Sequence, residues 1–345
     1  MKKRVFERIA GKRLEFTELG FGTAMTGNLY ENVSDETAQS ALDAAWETGV
    51  RYFDTAPLYG LGLAETRMNR FLREKDRDSY VLSTKIGRLL EVCAPQDRTA
   101  IGKFFGVPNR REVYDFTYDG TMRSIDFSLE RLGVDRIDLL FAHDLDIFNH
   151  GTWDALQPML DQFMDGGYKA LLELRDQGVI KAFGAGINEY EPAQWMLERG
   201  DFDIFLLAGR YTLLEQQALE TFFPICEERG VGVVLGGPYN SGILATGPVE
   251  GAHFNYDLAP PHVLERVGAI QAVCERHGVK LIEAALRFPI NHPVVLTVIP
   301  GAKTADHARQ NKAFLDADLP KAFWDELMRE GLMREDAPVP VANAA

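Results

Sequence analysis

The sequence predicts an α/β fold, a (β/α)8 TIM barrel, and three observations lead to it. Short β-like runs alternate with amphipathic helical stretches from about residue 18 to residue 312. The runs number eight: Leu19–Thr23, Arg51–Asp54, Tyr80–Lys85, Ile137–Ala142, Ala182–Ala185, Ile204–Leu207, Gly232–Leu235 and Val295–Ile299. No composition shift or Pro/Gly/Ser-rich linker divides the 345 residues, so one barrel domain is expected over 1–334, with a small, Pro-containing, flexible tail at 335–345.

Each element follows from local chemistry. Ahead of the first run, Arg4–Ile9 and Arg13–Thr17 flank Ala10-Gly11-Lys12 and read as a β-hairpin capping one end of the barrel. Ser34 is an N-cap, Asp35 and Glu36 complement the helix dipole, and Ala41, Leu42, Ala45 and Trp46 make an apolar face that Gly49 terminates. Over Thr121–Leu132, Met122, Ile125, Leu129 and Leu132 recur at helical spacing before Gly133, and Ala170–Gln177 ends likewise at Gly178. Three connections after strands are long: Gly87–Gly120, His143–Gly167 and Gly236–Pro261. In an eight-fold barrel they project from the face where active sites form.

Composition narrows the function. Hydrophobic residues make up 46% and charged residues 26%, enough for a sizeable core. Thirty-seven basic against 51 acidic residues give a net charge of −14, which repels phosphate backbones and argues against a nucleic-acid partner. No apolar run is long enough to span a bilayer, so no membrane partner is expected. The start, Met1-Lys-Lys-Arg, lacks the apolar stretch of a secretory signal, and the expected location is cytoplasmic. Cys93, Cys226 and Cys274 are odd in number and far apart, without a C-x-x-C pair, so no metal site or disulfide framework is expected.

Four residues could carry chemistry together. Asp54 closes the second strand, Pro57 and Gly60 mark a turn holding Tyr59, Lys85 ends the third strand, and His143 follows the fourth. Neighbouring strand ends of one barrel surround a common pocket. A phenol titrates near 10 and is a poor base at neutral pH. An ammonium beside it lowers that value, so Lys85 is expected to tune Tyr59 while Asp54 holds Lys85. His143 can donate to the substrate oxygen. Such a site moves a proton on or off an oxygen while a hydride leaves or joins the attached carbon. A rival reading gathers His143, Asp144 and Asp146 around a metal, which requires the chain to turn after His143.

Three stretches resemble the aldo-keto reductase superfamily: Gly49-Val-Arg-Tyr-Phe-Asp-Thr-Ala-Pro-Leu-Tyr-Gly60, Ser124–His143, and Gly178-Val-Ile-Lys-Ala-Phe-Gly-Ala-Gly-Ile187. The likeness runs over roughly residues 15–312 and implies that Asp54, Tyr59, Lys85 and His143 are that family's catalytic tetrad, with Tyr59 the general acid/base. It also implies a nicotinamide cofactor extended across the barrel mouth. Gly20-Phe-Gly22 is no Rossmann fingerprint, since Met25 stands where the third Gly belongs. The implied cofactor contacts follow the strands: Gly22 and Thr23 after the first, Asp54 after the second, Asn188 after the fifth and Arg210 after the sixth. Pro238, Tyr239 and Ser241 follow the seventh, and Ile299, Gly301, Ala302, His307 and Asn311 the eighth.

Departures from the family pattern carry information. Members that use NADP carry cations where Gly301 and His307 stand, and a 2′-phosphate needs such partners whereas a 2′-hydroxyl does not. NAD is therefore expected over NADP, with Lys303 and Arg309 the nearby cations that could compensate. Gly236 stands where an aromatic ring often stacks on the nicotinamide, and Asn188 is expected to help rebuild the carboxamide grip. These substitutions, with His143-Asp144-Leu-Asp146 and Gly237-Pro-Tyr-Asn-Ser-Gly242, resemble the branch of D-threo-aldose 1-dehydrogenases (L-fucose dehydrogenases), L-galactose dehydrogenases and pyridoxal 4-dehydrogenases. That branch implies a small-molecule substrate, a sugar or pyridoxal hemiacetal oxidised to its lactone. Arg88, Asp144 and Tyr118 are the expected substrate contacts beside Tyr59 and His143, and Phe104, Phe105, Phe148 and Tyr239 are further pocket candidates. The alternatives are an NADP-dependent carbonyl reductase and a non-catalytic, nicotinamide-binding regulatory subunit.

Overall fold

All eight runs form strands in the computed structural model, which describes residues 1–99 and 103–340. They are Phe21–Gly22, Tyr52–Asp54, Val81–Ile86, Leu139–His143, Ala182–Ile187, Ile204–Ala208, Gly232–Gly236 and Val295–Ile299, here numbered one to eight. They line up in a single parallel sheet in chain order. Bridges from Leu19 to Val298 and from Gly22 to Gly301 join strand one to strand eight and close the barrel. Strand one is shorter than the expected Leu19–Thr23, because Leu19 and Gly20 bond to strand eight instead of strand two.

The strands are buried on both faces, which is why their sequences read as nearly continuous apolar runs. Alternate residues separate two cores. Tyr52, Val81, Leu139, Phe141, Ala182, Ile204, Leu206, Val234 and Leu296 fill the barrel interior. Phe53, Leu82, Leu140, Ala142 and Phe183 pack outward against the helices. The same alternation positions the chemistry. Counting by twos from Tyr52, Val81 and Phe141 reaches Asp54, Lys85 and His143, so all three enter the barrel lumen at its C-terminal mouth. Gly186, on strand five, leaves room for one of them, since a Cβ there would lie 3.3 Å from Lys85 Cε.

The expected hairpin pairs Lys3–Phe6 with Leu14–Thr17, a wider loop than three residues. Phe6, Leu14 and Phe16 join the interior core and plug the end opposite the mouth, and Arg4 donates to the carbonyls of Ile290, His292 and Val295 beneath strand eight. Helix Asp35–Glu47 is capped by Ser34, whose Oγ accepts from Thr37 N. The helix expected at Thr121–Leu132 starts earlier, at Tyr118, because Thr117 caps it. The one expected at Ala170–Gln177 starts at Tyr168, running on from a π-helical turn at Phe163–Gly167.

The three long connections carry structure of their own. The first holds a hairpin, Arg88–Val92 with Arg110–Tyr114, and its residues 100–102 lie outside those described. The second holds helices Ile147–His150 and Trp153–Gln162. The third holds helix Ile243–Thr246 and a small hairpin, His253–Phe254 with Asp257–Leu258. The expected tail is in part packed: Ala337 is buried and Arg334 pairs with Asp336, while 341–345 lie outside the described residues. No described helix is long and apolar enough to cross a membrane.

Candidate active site

Asp54 and Lys85, both about 1% exposed, form a buried ion pair with Lys85 Nζ 2.7 Å from Asp54 Oδ2. Lys85 Nζ also donates to Thr55 O at 2.8 Å, and Ser83 Oγ donates to Asp54 Oδ1 at 2.7 Å. Burial raises the Asp54 carboxyl, and the Lys85 charge and hydrogen bonds oppose that shift. Lys85 Nζ sits 4.7 Å from the centre of the Tyr59 ring. The His143 imidazole stands edge-on to that ring at 5.8 Å. Sequence separation is 31 residues between Asp54 and Lys85 and the fold reduces it to one hydrogen bond.

One electrostatic expectation is corrected here. Lys85 was expected to lower the Tyr59 pKa, yet Tyr59 is pushed well above 10, first by burial and then by the Asp54 and Asp144 charges, with only Arg88 opposing. The physical reason is that burial penalises the phenolate and two neighbouring carboxylates repel it. In the resting site Tyr59 is a protonated phenol. His143 is held neutral, since burial and the Arg88 and Lys85 charges push it well below 6.5. Its Nδ1 is buried without a partner while Nε2 lies 3.5 Å from Asp144 Oδ2. With the nearest acceptor at Nε2, that nitrogen is the one placed to donate.

Two adjoining hollows meet at Tyr59. One, about 310 Å³, is lined by Tyr59, Lys85, His143, Asp144 and Arg88, with Phe104, Tyr114 and Phe148 as aromatic walls. Arg88 fixes its polar side: Nη2 lies 2.5 Å from Asp144 Oδ2 and Nη1 2.6 Å from Glu112 Oε2. The chain does turn after His143, with Asp144 in the left-handed region at φ +56. That turn sends Asp146 elsewhere. Its carboxylate accepts from Asn149 N, Asn149 Nδ2, Asn188 N and Asn188 Nδ2, and so serves to lock the loop.

The other hollow is a cleft of about 450 Å³ across the barrel mouth. Of the residues expected at a cofactor, Gly22, Asp54, Asn188, Arg210, Pro238, Tyr239, Ser241, Ile299, Gly301 and His307 line it. Three do not. Thr23 and Ala302 are buried behind the wall, and Asn311 acts at one remove, accepting from the Tyr239 hydroxyl at 2.8 Å. The Asn188 amide nitrogen is taken by Asp146 and Asp144, leaving its carbonyl oxygen available for a carboxamide. Arg210 is held by Asn255 Oδ1 at 2.8 Å and Glu215 Oε2 at 3.2 Å.

Among the substrate candidates, Tyr118 is misplaced. It opens a helix, is 38% exposed, and donates its hydroxyl to Glu173 on the barrel's outer layer. Phe105 lines neither hollow, and Tyr239 belongs to the cleft. Sequence reasoning missed Glu112, Tyr114 and Tyr256. Tyr256 lines both hollows and packs on Phe148 at 5.7 Å. It occupies, with Asn255, the two-residue turn of the small hairpin, both at positive φ. The usable signal was Asn255, a frequent first residue of such turns, but Tyr stands where Gly usually follows.

The donor set of the cleft fits a dinucleotide. Gly209 and Gly237 bring bare backbone to its floor, and the Asn240 Oδ1 atom is buried there without a partner. The N-terminus of helix Ala305–Leu315, capped by Thr304, opens beside Gly301 and His307, an arrangement that attracts phosphate.

Comparison with known proteins agrees with this geometry. The sequence pattern of the Aldo/keto reductase family matches residues 18–329. A pyridoxal 4-dehydrogenase of Microbacterium luteolum is 40% identical over 334 residues, covering 93% of this chain and 95% of the relative. A D-threo-aldose 1-dehydrogenase of a Pseudomonas species is 38% identical over 329 residues, covering 94% and 97%. The solved structure of an aldo-keto reductase from Bacillus halodurans, in its holo form, superposes with a TM-score of 0.74 at 26% identity, covering 99% of each chain.

Proposed function

The chain belongs to the aldo/keto reductase family and is an oxidoreductase, and from that premise we propose that it oxidises a cyclic hemiacetal, an aldose or pyridoxal, to its lactone with NAD. The observation that carries this reading is the position of Tyr59, shared by the substrate-sized hollow and the dinucleotide-sized cleft. When bound in the cleft, an oxidised nicotinamide would supply the hydride acceptor. The protein supplies proton handling and position. The hemiacetal carbon bears both a hydrogen and a hydroxyl, so loss of the hydride and of the hydroxyl proton leaves the lactone carbonyl. As a phenolate, formed when its own proton passes to solvent as pH rises, Tyr59 receives that proton, and the Lys85–Asp54 pair holds the ammonium against its ring. His143 donates from Nε2 to the same substrate oxygen, which fixes the carbon at the edge of the cleft.

Asp144 gives the hollow an acceptor for a ring hydroxyl. Burial raises its pKa to about 6, and Arg88 opposes the shift. Above that pH it is a carboxylate paired with Arg88, and below it a neutral acid that has lost this pairing. For a polyhydroxylated substrate kcat/KM is therefore expected to fall as pH drops through about 6, and Asp144→Asn is expected to remove that limb. A pH profile identical in wild type and variant would assign the limb to another group.

The reading is tested by following reduced-nicotinamide absorbance with NAD, and separately NADP, across L-fucose, D-arabinose, L-galactose and pyridoxal. A rise with NAD and one of these compounds is the expected result and selects the sugar or the pyridine. A rise with NADP alone would overturn the cofactor assignment and leave the chemistry of Tyr59 standing.

A further inference from the structure

We propose that Glu31 sets the cofactor preference by occupying Lys303, the lysine that lines the cleft beside the N-terminus of helix Ala305–Leu315. The inference rests on the nicotinamide reading above and adds the residue that enforces it. Only two Lys or Arg side chains line the cleft among the described residues, Arg210 and Lys303. Arg210 stands beside Gly209 and is tied down by Glu215 and Asn255. Lys303 lines the cleft with Gly301 and His307, beside the N-terminus of helix Ala305–Leu315, and none of these three lines the substrate-sized hollow. It is ion-paired with Glu31, which follows the cleft residue Tyr30 in the connection after strand one.

The surroundings leave no substitute for Lys303. Arg309 is not on the cleft wall, and its guanidinium already faces two acids, Glu47 at 3.4 Å and Asp306 at 3.7 Å. Gly301 itself carries no side chain, and a Cβ there would lie 2.9 Å from Met25 Cγ, so a cation at that position would require Met25 to move. A 2′-phosphate carries nearly two negative charges and needs unengaged donors. Here it would meet a lysine whose charge is spent and the carboxylate that spends it. A 2′-hydroxyl makes no such demand, and an acid beside it is an acceptor.

The pair is half-exposed, with side-chain exposures of 34% for Lys303 and 50% for Glu31, so its share in stability is small and the variants should fold. The test is NAD and NADP binding to the full chain by isothermal titration calorimetry, for wild type, Glu31→Gln and Glu31→Gln/Lys303→Met. Glu31→Gln is expected to tighten NADP by roughly fivefold, a gain that shrinks with added salt, and to leave NAD within about twofold. The double variant is expected to lose that gain, because Lys303 supplies it. NADP affinity unchanged in Glu31→Gln, with wild type still preferring NAD, would overturn the role of Glu31 alone. A gain that survives in the double variant would overturn the part given to Lys303. Wild type that binds NADP more tightly than NAD would overturn both this inference and the NAD reading beneath it.

Discussion

Tyr59→Phe is expected to lower turnover by roughly 10²-fold or more while cofactor affinity and melting temperature stay near those of wild type. The hydroxyl is the only atom group removed, and the ring keeps its contacts with Lys85 at 4.7 Å and with His143 at 5.8 Å. The sign of the pH dependence follows from the same residue. Burial and two neighbouring carboxylates hold the phenol protonated, so oxidation by the wild type is expected to accelerate toward alkaline pH, where Tyr59 can accept a proton. The variant should lose that rise. Wild-type turnover in Tyr59→Phe would place the proton elsewhere, on Lys85 or His143, the two groups that face the ring.

Lys85→Met is expected to remove activity and also to destabilise the fold by about 3–5 kcal/mol, measured by urea denaturation. The asymmetry of buried ion pairs is the reason. Lys85 and Asp54 sit together in the lumen at about 1% exposure each, and without the ammonium the Asp54 carboxylate is left buried with Ser83 Oγ as its remaining side-chain donor. Adding Asp54→Asn to Lys85→Met should recover much of the stability and none of the activity. A single variant as stable as wild type would mean that water reaches Asp54 and that the pair is not sealed in the lumen.

Much of this was legible in the sequence, and the exceptions have physical causes. The eight strands could be read because both faces of each are covered, which forces unbroken apolar runs such as Ile204-Phe-Leu-Leu207 and Val295-Leu-Thr-Val-Ile299. Asp54, Lys85 and His143 could be read because they end successive strands of one barrel, although each alone is as readily a cap, a turn former or a packed residue. Side-chain direction in loops was not readable. Tyr118 looked like a pocket aromatic, but Thr117 caps a helix there and turns the ring outward. Thr23 and Ala302 neighbour cleft residues in the chain yet are buried and do not line it, and Asn311 reaches it only through the Tyr239 hydroxyl. Glu112 was invisible because its strand pairs only with the loop hairpin itself and has no apolar alternation. The sign of the Tyr59 shift was lost for a related reason. Sequence shows the lysine and its Asp54 partner, whereas the depth of burial of Tyr59 and its nearness to Asp144 come only from the three-dimensional packing.

The central claim is that the hemiacetal carbon loses its hydrogen as hydride while Tyr59 takes the hydroxyl proton. It is tested most directly by deuterating that one carbon in whichever substrate supports turnover, then following the label by mass spectrometry of both products. The account expects a lactone free of deuterium and one deuterium per molecule of reduced nicotinamide. Deuterium retained in the organic product, or reduced nicotinamide formed without a lactone, would contradict it.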